Sequence, residues 1–550
     1  MDNMSSEMYF IGVDVGTGSA RAALVDREGK ILKVSTHPIT TWNPKPNYYE
    51  QSSDNIWTSC CTVVKNVTNG IEPELIKGIG FDATCSLVAV DSKGDPLTIS
   101  TTGNNEQNVI LWMDHRAKNE ASFINKTKHS VLQYVGGKIS LEMEIPKLMW
   151  LKKHLKDKCW NKVGLFFDLP DFLTWKATGS ESRSLCSLVC KWTYEIHSDG
   201  TDGWSESFFK QIGLEELLDD NCRKIGRVVL PPGVRCQGGL TEVAATCLGL
   251  LPGTHVGTSI IDAHAGGLGM IGCSVDCVPT DFHTRLGLIC GTSTCHMVVS
   301  LTPTFVPGVW GPYYSAMVPG MWLNEGGQSA TGKLVDHIID SHPAAQQIKN
   351  KLTGNMHIQQ YLSSLITAMA TKQNLSCTSM LTEHVHIWPD FHGNRSPLAD
   401  ANLKGMISGL TLATDEEHLA ILYLATLQAL AYGTRHILET LKESGHKDIF
   451  SIVICGGLSR NPLFVQIQAD VINLPVLLPV EKESVLLGSA ILGAFAAGAF
   501  PNMRAAIQTM AGEARIVHPS INANKYHNKK YKVFLKMVKH QKEYADIMSS

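Results

Sequence analysis

A Gly-Thr turn set between two strands, and repeated once, is the feature that most constrains how this 550-residue chain can fold. Tyr9, Ile11, Val13 and Val15 alternate along an apolar run that ends at Gly16-Thr17-Gly18-Ser19, and a second apolar run, Ala20 to Asp26, follows at once. Period-two alternation on one side and an immediate apolar restart on the other predict a strand-turn-strand hairpin. Dinucleotide-binding folds and P-loops place a helix after the glycine turn, so this pattern argues against both. Thr284 to Cys290, the turn Gly291-Thr292-Ser293-Thr294, and Cys295 to Val299 repeat the arrangement. A chain of this length exceeds one ordinary core. The echo therefore predicts two α/β domains, over 1–270 and 271–550, with the break between Gly266 and Asp281.

Around these hairpins the pattern predicts helices over Ser53 to Val67, Asp168 to Gly179, Leu419 to Leu441 and Pro462 to Val471, and short strands at Ile76 to Phe81 and Ser451 to Cys455. His342 to Lys351 reads as a polar surface segment. Val485 to Phe500 is almost wholly apolar and rich in Gly and Ala, too short to span a membrane, and predicts a tightly packed helix. Tyr526 to Tyr544 reads as a basic amphipathic helix of open placement. With 44% apolar and 18% charged residues the composition is that of a packed globular protein. A formal charge of −3 implies neither a nucleic-acid nor a membrane partner. The first ten residues lack a basic-then-apolar run, so the expected location is cytoplasmic. The 15 cysteines are scattered and odd in number, which suits buried thiols in a reducing compartment. Cys186 with Cys190, and Cys273 with Cys277, raise metal ligation. The spacing lacks the paired sets of a structural zinc site, and His264 or His283 would have to be added to complete one, so zinc is not expected.

Each turn carries its own chemistry. In Asp14-Val15-Gly16-Thr17-Gly18-Ser19-Ala20-Arg21 the glycines let backbone N–H groups converge on an anion, while Thr17 and Ser19 add hydroxyls. Asp14 at a strand end suits a hydrated magnesium ion. Gly291, Thr292 and Ser293 form a second such turn, able to clamp the phosphate tail of a nucleotide from the opposite side. Gly456-Gly457-Leu458-Ser459-Arg460-Asn461 follows a predicted strand, and its glycines permit close approach of a nucleoside beside Asn461. Any one of these is also an ordinary turn; three together with a placed acid point to a nucleotide site. Asp262, after Ile260-Ile261 and before small residues, is either a helix N-cap or a base for an attacking hydroxyl. Trp112, Asp114 and Arg116 offer an apolar wall and hydrogen bonds to hydroxyl groups. Asp82, Thr84, Lys191 and Glu325 are polar residues beside apolar or Gly-rich runs, a setting that also suits caps and surface charges.

Taken together, these segments resemble the FGGY family of carbohydrate kinases, from the Asp14–Arg21 loop to about Gly498, and within it the pentulose kinases most. The resemblance implies two actin-like, ribonuclease-H-like ATPase domains around a central cleft, in which ATP, Mg2+ and a small sugar meet. It implies nucleotide contacts at Thr17, Gly18, Ser19, Arg21, Gly291, Thr292, Ser293, Gly456, Gly457 and Asn461, and a metal contact at Asp14. It makes Asp262 the catalytic base and lines the sugar side with Asp82, Asp114, Lys191, Asp262 and Glu325. Pro146 to Trp150 resembles the first family signature, in a structural role. The second, around Gly405 to Gln428, is a looser match, with Gln428 where an acid is common. The Arg-Glu pair of glycerol-type enzymes is missing near Asp82, which disfavours glycerol. D-Ribulose leads as substrate, ahead of L-ribulose, xylulose and ribitol, and homodimers are common in such kinases. An actin-like ATPase acting on protein partners shares the phosphate loops but leaves Trp112–Arg116 and Asp262 without purpose. A nucleotide-binding sensor without turnover is disfavoured by the intact Asp14 and Asp262.

Overall fold

A computed structural model describes residues 7–197, 202–352, 354 and 356–549. The first expected hairpin forms from Tyr9–Val15 and Ser19–Val25, joined antiparallel so that Asp14 stands opposite Arg21. Its turn closes on a Gly16 N–H bond of 3.0 Å to the Ser19 carbonyl. Ile31–Pro38 adds a third strand on the outer side. On the inner side Ile76–Ala83 runs parallel to Tyr9–Val15 and brings Asp82 beside Asp14. His255–Val256 and Ile260–Ile261 then pair in parallel with Ile76–Ala83, with Ile260 opposite Asp82. The carboxyl ends of these parallel strands thus carry Asp14, Asp82 and Asp262 side by side, the edge at which ligands bind in open α/β sheets.

The second sheet repeats the scheme. Arg285–Cys290 and Thr294–Ser300 form the second hairpin, and Trp322–Gln328 extends it antiparallel, with Trp310–Tyr314 beyond. Ser451–Cys455 and then Val476–Pro479 continue it in parallel on the other side. This is the two-domain α/β architecture that the repeated turn predicts, in the actin-like form that the family resemblance implies.

The sheets are joined by two helices that cross between them. Asp262–Ile271 leaves the first sheet and packs beneath Arg285–Cys290 of the second, while Ser484–Ala496 follows the second sheet and lies on Tyr9–Val15 and Ile76–Ala83 of the first. The two helices also pack on each other at backbone distance. A Cβ on Gly488 would stand 1.9 Å from the Ala265 carbonyl oxygen, and one on Gly12 would stand 2.0 Å from that of Leu486. Glycine at these points sets how closely the halves meet. The Gly- and Ala-rich run therefore forms the packed helix expected of it, ending at Ala496 with Gly498 in the left-handed region.

One expected surface segment is corrected. Residues Ala344–Lys351 are helical, burying Ala344, Ala345 and Ile348. The C-terminal helix runs over Asn524–Ser549 and is docked: Phe534 packs tilted against Trp388 with centroids 4.4 Å apart, and the buried Lys530 ammonium donates to the Thr382 and Val385 carbonyls. Among the described residues no helix is long and apolar enough to cross a membrane.

Candidate active site

The cleft is built from the ends of both sheets, and a chain of ionic contacts joins its parts. Arg21 donates from Nε and Nη2 to Asp14 Oδ2 at 2.8 and 2.5 Å, and from Nη1 to Glu483 Oε2 at 2.7 Å. Glu483, just before the Ser484–Ala496 helix, also accepts from Arg460 at 3.1 Å. Three positions far apart in sequence are thereby fixed together: the first glycine turn, the third glycine element and the crossing helix. Gly456, at φ +90°, lies against the end of Arg285–Cys290; a Cβ there would be 2.5 Å from the Cys290 carbonyl oxygen. The third element is therefore held beside the second turn, Gly291-Thr292-Ser293. That turn closes through Gly291 N–H to the Ser293 carbonyl and abuts the start of the Gly332–Asp340 helix, whose Gly332 N–H reaches the Gly291 carbonyl at 3.1 Å. Cβ atoms on Gly18 or Gly457 would meet nothing within 4 Å, so packing does not demand glycine at either. Their openness leaves backbone free for a ligand.

The three carboxyls at the strand ends differ in setting. Asp82 is fully buried; Ser489 Oγ donates to its Oδ2 at 2.6 Å, and its Oδ1 has no partner. Burial first, then the charge of Asp14, hold the Asp82 carboxyl well above the usual range. Asp262 is the first residue of its helix and is half-buried at the cleft surface. It is not the N-cap, a position that falls to Ile261, and its Oδ1 takes the Ala263 N–H at 2.7 Å. Protein surrounds the carboxyl closely on the other sides. Desolvation, followed by the charge of Asp14, pushes it up to about 7, against the pull of Lys191.

On the opposite wall Glu325 sits mid-strand in Trp322–Gln328 and is 4% exposed. Burial would raise its carboxyl, but Lys191, His264 and Arg395 together hold it below the ordinary value, so it remains a carboxylate. Lys191 ends the Leu185–Lys191 helix, with its ammonium 4.4 Å above the Trp310 ring. Burial acts to lower its pKa, but Cys85, Glu325 and Glu142 outweigh burial and keep it a cation.

Two candidates are engaged inside the protein. Asp114 Oδ1 accepts from the Arg116 backbone and Nε, both at 2.9 Å, while Oδ2 accepts from Arg116 Nη2 at 2.8 Å and Tyr49 N–H at 2.7 Å. Arg116 also bonds Glu50 and stacks on Tyr48 and Trp150. The knot holds Trp112 so that its indole N–H donates to Thr17 Oγ1 at 3.0 Å, tying this run to the first glycine turn. Asn461 is the N-cap of Pro462–Ile472: its Oδ1 takes the Leu463 and Phe464 N–H groups, and its amide donates to the Tyr423 hydroxyl at 2.6 Å. Gln428, which replaces the common acid, bonds Thr382 and Ser379 within the core.

Sequence reasoning missed Glu483, Ser489 and Arg395, and raised His264 only as a zinc ligand that was not expected. Ser489 sits in a run that reads only as small packing residues. Arg395 lies in an irregular segment, and its partner Glu142, at 2.8 Å, is 253 positions away. Only Glu483, an acid at the mouth of a glycine-rich helix, carried a usable signal.

Two sheets joined by crossing helices, paired glycine-threonine turns and an acid at the head of one of those helices define a two-domain ATPase-like class with a site between its halves. Sequence comparison places the chain within that class. The FGGY family of carbohydrate kinases, N-terminal domain, matches residues 9–269, and the C-terminal domain matches residues 286–497. The chain belongs to the FGGY family of carbohydrate kinases. It is 54% identical to a human FGGY carbohydrate kinase domain-containing protein, over 99% of this chain and 98% of that protein. It is 40% identical to a D-ribulokinase of Saccharomyces cerevisiae, over 90% of this chain and 73% of that one. A crystal structure of a xylulose kinase from Rhodospirillum rubrum superposes with a TM-score of 0.77 at 20% identity, covering 98% and 99% of the two chains, which shows the shared fold.

Proposed function

We propose that this protein transfers the γ-phosphoryl group of ATP to a hydroxyl of a pentulose, with D-ribulose the preferred acceptor. The observation that carries the reading is Asp262: a cleft carboxyl raised to about 7, with Asp14 on one side and Lys191 and Glu325 on the other. A base with a pKa near working pH is suited to accept the proton of an attacking hydroxyl as the new bond to phosphorus forms. Phosphoryl transfer requires little further covalent help, since positioning and charge stabilisation dominate. Lys191 and Glu325 supply a cation donor and an anionic acceptor for sugar hydroxyls, with Trp310 as a flat wall beneath the ammonium. Asp82, fully buried and bonded to Ser489, serves the sugar side by fixing Asp14 and the adjoining strand ends. Asp114 acts likewise as a positioning residue, through Arg116 and Trp112.

The hard oxygen donors at the strand ends, Asp82 Oδ1 among them without a partner, fit a magnesium ion, with Asp14 as its principal holder. When bound, the ion would neutralise charge on the transferring phosphates. Thr17, Gly18, Ser19 and Arg21 would line one side of the phosphate tail, and Gly291, Thr292 and Ser293 the other. Gly456 and Gly457 would lie along the nucleoside, held by the Asn461 cap.

D-Ribulose as the acceptor rests on the yeast relative named above. A coupled ADP-release screen over D-ribulose, L-ribulose, xylulose, ribitol, hexuloses and glycerol tests it. The expected result is the highest kcat/KM for D-ribulose and near-background rates for glycerol. A better hexulose or glycerol substrate would overturn the assignment.

A further inference from the structure

We propose that Cys186, Cys190 and His264, completed by Glu325, form a binding site for one thiophilic divalent cation of the zinc class. The site differs in donor chemistry from the all-oxygen group around Asp14.

Spacing alone gives no zinc signature, because the partners come from distant segments. Ser184 caps the short helix Leu185–Lys191. Cys186 and Cys190 lie four residues apart in it and so share one face. His264 approaches from the crossing helix Asp262–Ile271 and is also fully buried. One donor atom from each of the three lies within 4.8 Å of the others. Cys190 Sγ is 3.5 Å from His264 Nε2, and Glu325 Oε2 is 3.6 Å from the same nitrogen. A tetrahedral ion with bonds of about 2.3 Å to sulfur and about 2.0–2.1 Å to nitrogen or oxygen sets its donors about 3.3–3.8 Å apart. Both measured edges meet that requirement.

A second observation points to a ligand here. Glu325 Oε2 is buried with no hydrogen-bond partner, although it lies near His264. An unpaired buried carboxylate oxygen is costly unless something engages it. Two thiolates, one neutral imidazole and one carboxylate are a donor set that favours zinc over magnesium or calcium. As the two metal–sulfur bonds form, both thiol protons leave to water; His264 contributes the lone pair of Nε2 and keeps a proton on Nδ1. The thiolate charges are matched by the dication, and Lys191 lies beside the remaining carboxylate. Because the donors come from elements of both halves, the ion would tie the Leu185–Lys191 helix to the Trp322–Gln328 strand through the crossing helix.

The test is a titration of the full chain, reduced and freed of metal by chelation, with Co2+ in the absence of sugar and nucleotide. The expected result is one equivalent of cobalt giving tetrahedral visible bands and a thiolate charge-transfer band, both displaced by Zn2+. The Cys186→Ser/Cys190→Ser double variant should lose the charge-transfer band, and Cys277→Ser, at an exposed thiol, should keep it. If the double variant does not fold, X-ray absorption on the zinc-loaded parent decides: two sulfur and two nitrogen or oxygen neighbours are expected. A shell of nitrogen and oxygen alone, no thiolate band at stoichiometric cobalt, or a band retained in the folded double variant would overturn the proposal. Run without sugar or nucleotide, the titration can fail while the kinase reading stands, and the reverse also holds.

Discussion

At the scale of single residues, the acids of the cleft divide by what already holds them. Among the described residues the Asp262 carboxyl bonds only the neighbouring Ala263 N–H and Glu325 is held by the charges of Lys191, His264 and Arg395, whereas Asp114 has both oxygens committed to Arg116 and Tyr49. Arg116 in turn bridges Asp114 and Glu50 with no side-chain exposure. Removing one partner of such a buried pair leaves an uncompensated charge, at a cost of about 3–5 kcal/mol. Arg116→Ala is therefore expected to lower the thermal midpoint clearly, and Asp114→Asn should do so in lesser degree, both by scanning calorimetry. Lost sugar affinity in an Asp114→Asn protein of unchanged stability would instead make Asp114 a direct sugar ligand. Asp14 and Asp262 were legible in the sequence because each stands at the end of an apolar run beside small residues. Ser489 and Arg395 were not, because what makes them matter is contact with Asp82 and Glu142, hundreds of positions away.

At the scale of elements, the repeated hairpin was legible for a physical reason: a glycine turn between two apolar runs leaves the chain little alternative. The Ala344–Lys351 helix was not. Its buried face amounts to three residues, too few to display a period, and its N-cap, Pro343, makes no side-chain cap. The crossing of the two central helices was equally hidden, although the glycines that permit it were visible. Gly488→Ala tests that contact. In an isolated helix the change would stabilise by about 1 kcal/mol. Here the added methyl would meet the Ala265 backbone at 1.9 Å, three residues beyond Asp262. The net effect is expected to be a loss of roughly 1–3 kcal/mol, with a fall in kcat as the helix bearing Asp262 is pushed aside. A stabler protein of normal activity would show that the helices have room to part.

At the scale of the whole molecule, the site exists only where the halves meet. Asp14, Asp82 and Asp262 come from the first sheet and the helix leaving it, and Glu325 from the second. On the proposed function, a sugar held by both groups would favour closure, exclude water and assemble the site with its own binding energy. Small-angle scattering should therefore show a more compact protein with D-ribulose than without it. Glu325→Gln should compact less and discriminate less between D-ribulose and its epimers; equal compaction and unchanged preference would remove Glu325 from the sugar site. The central claim is that Asp262 is the base toward which this closure drives the hydroxyl. Its carboxyl, raised to about 7, is mostly protonated below that pH and becomes a competent base as pH rises through it. The most direct measurement is kcat/KM for pentulose-dependent ADP formation between pH 5.5 and 8.5 (a range of about 1.5 units either side of that value), in the parent and in Asp262→Asn. The account predicts a parent rate that climbs to a plateau through about pH 7, and a folded, nucleotide-binding variant slower by about 10²–10⁴-fold without that climb. Near-parent turnover in Asp262→Asn, with the same dependence on pH, would contradict it.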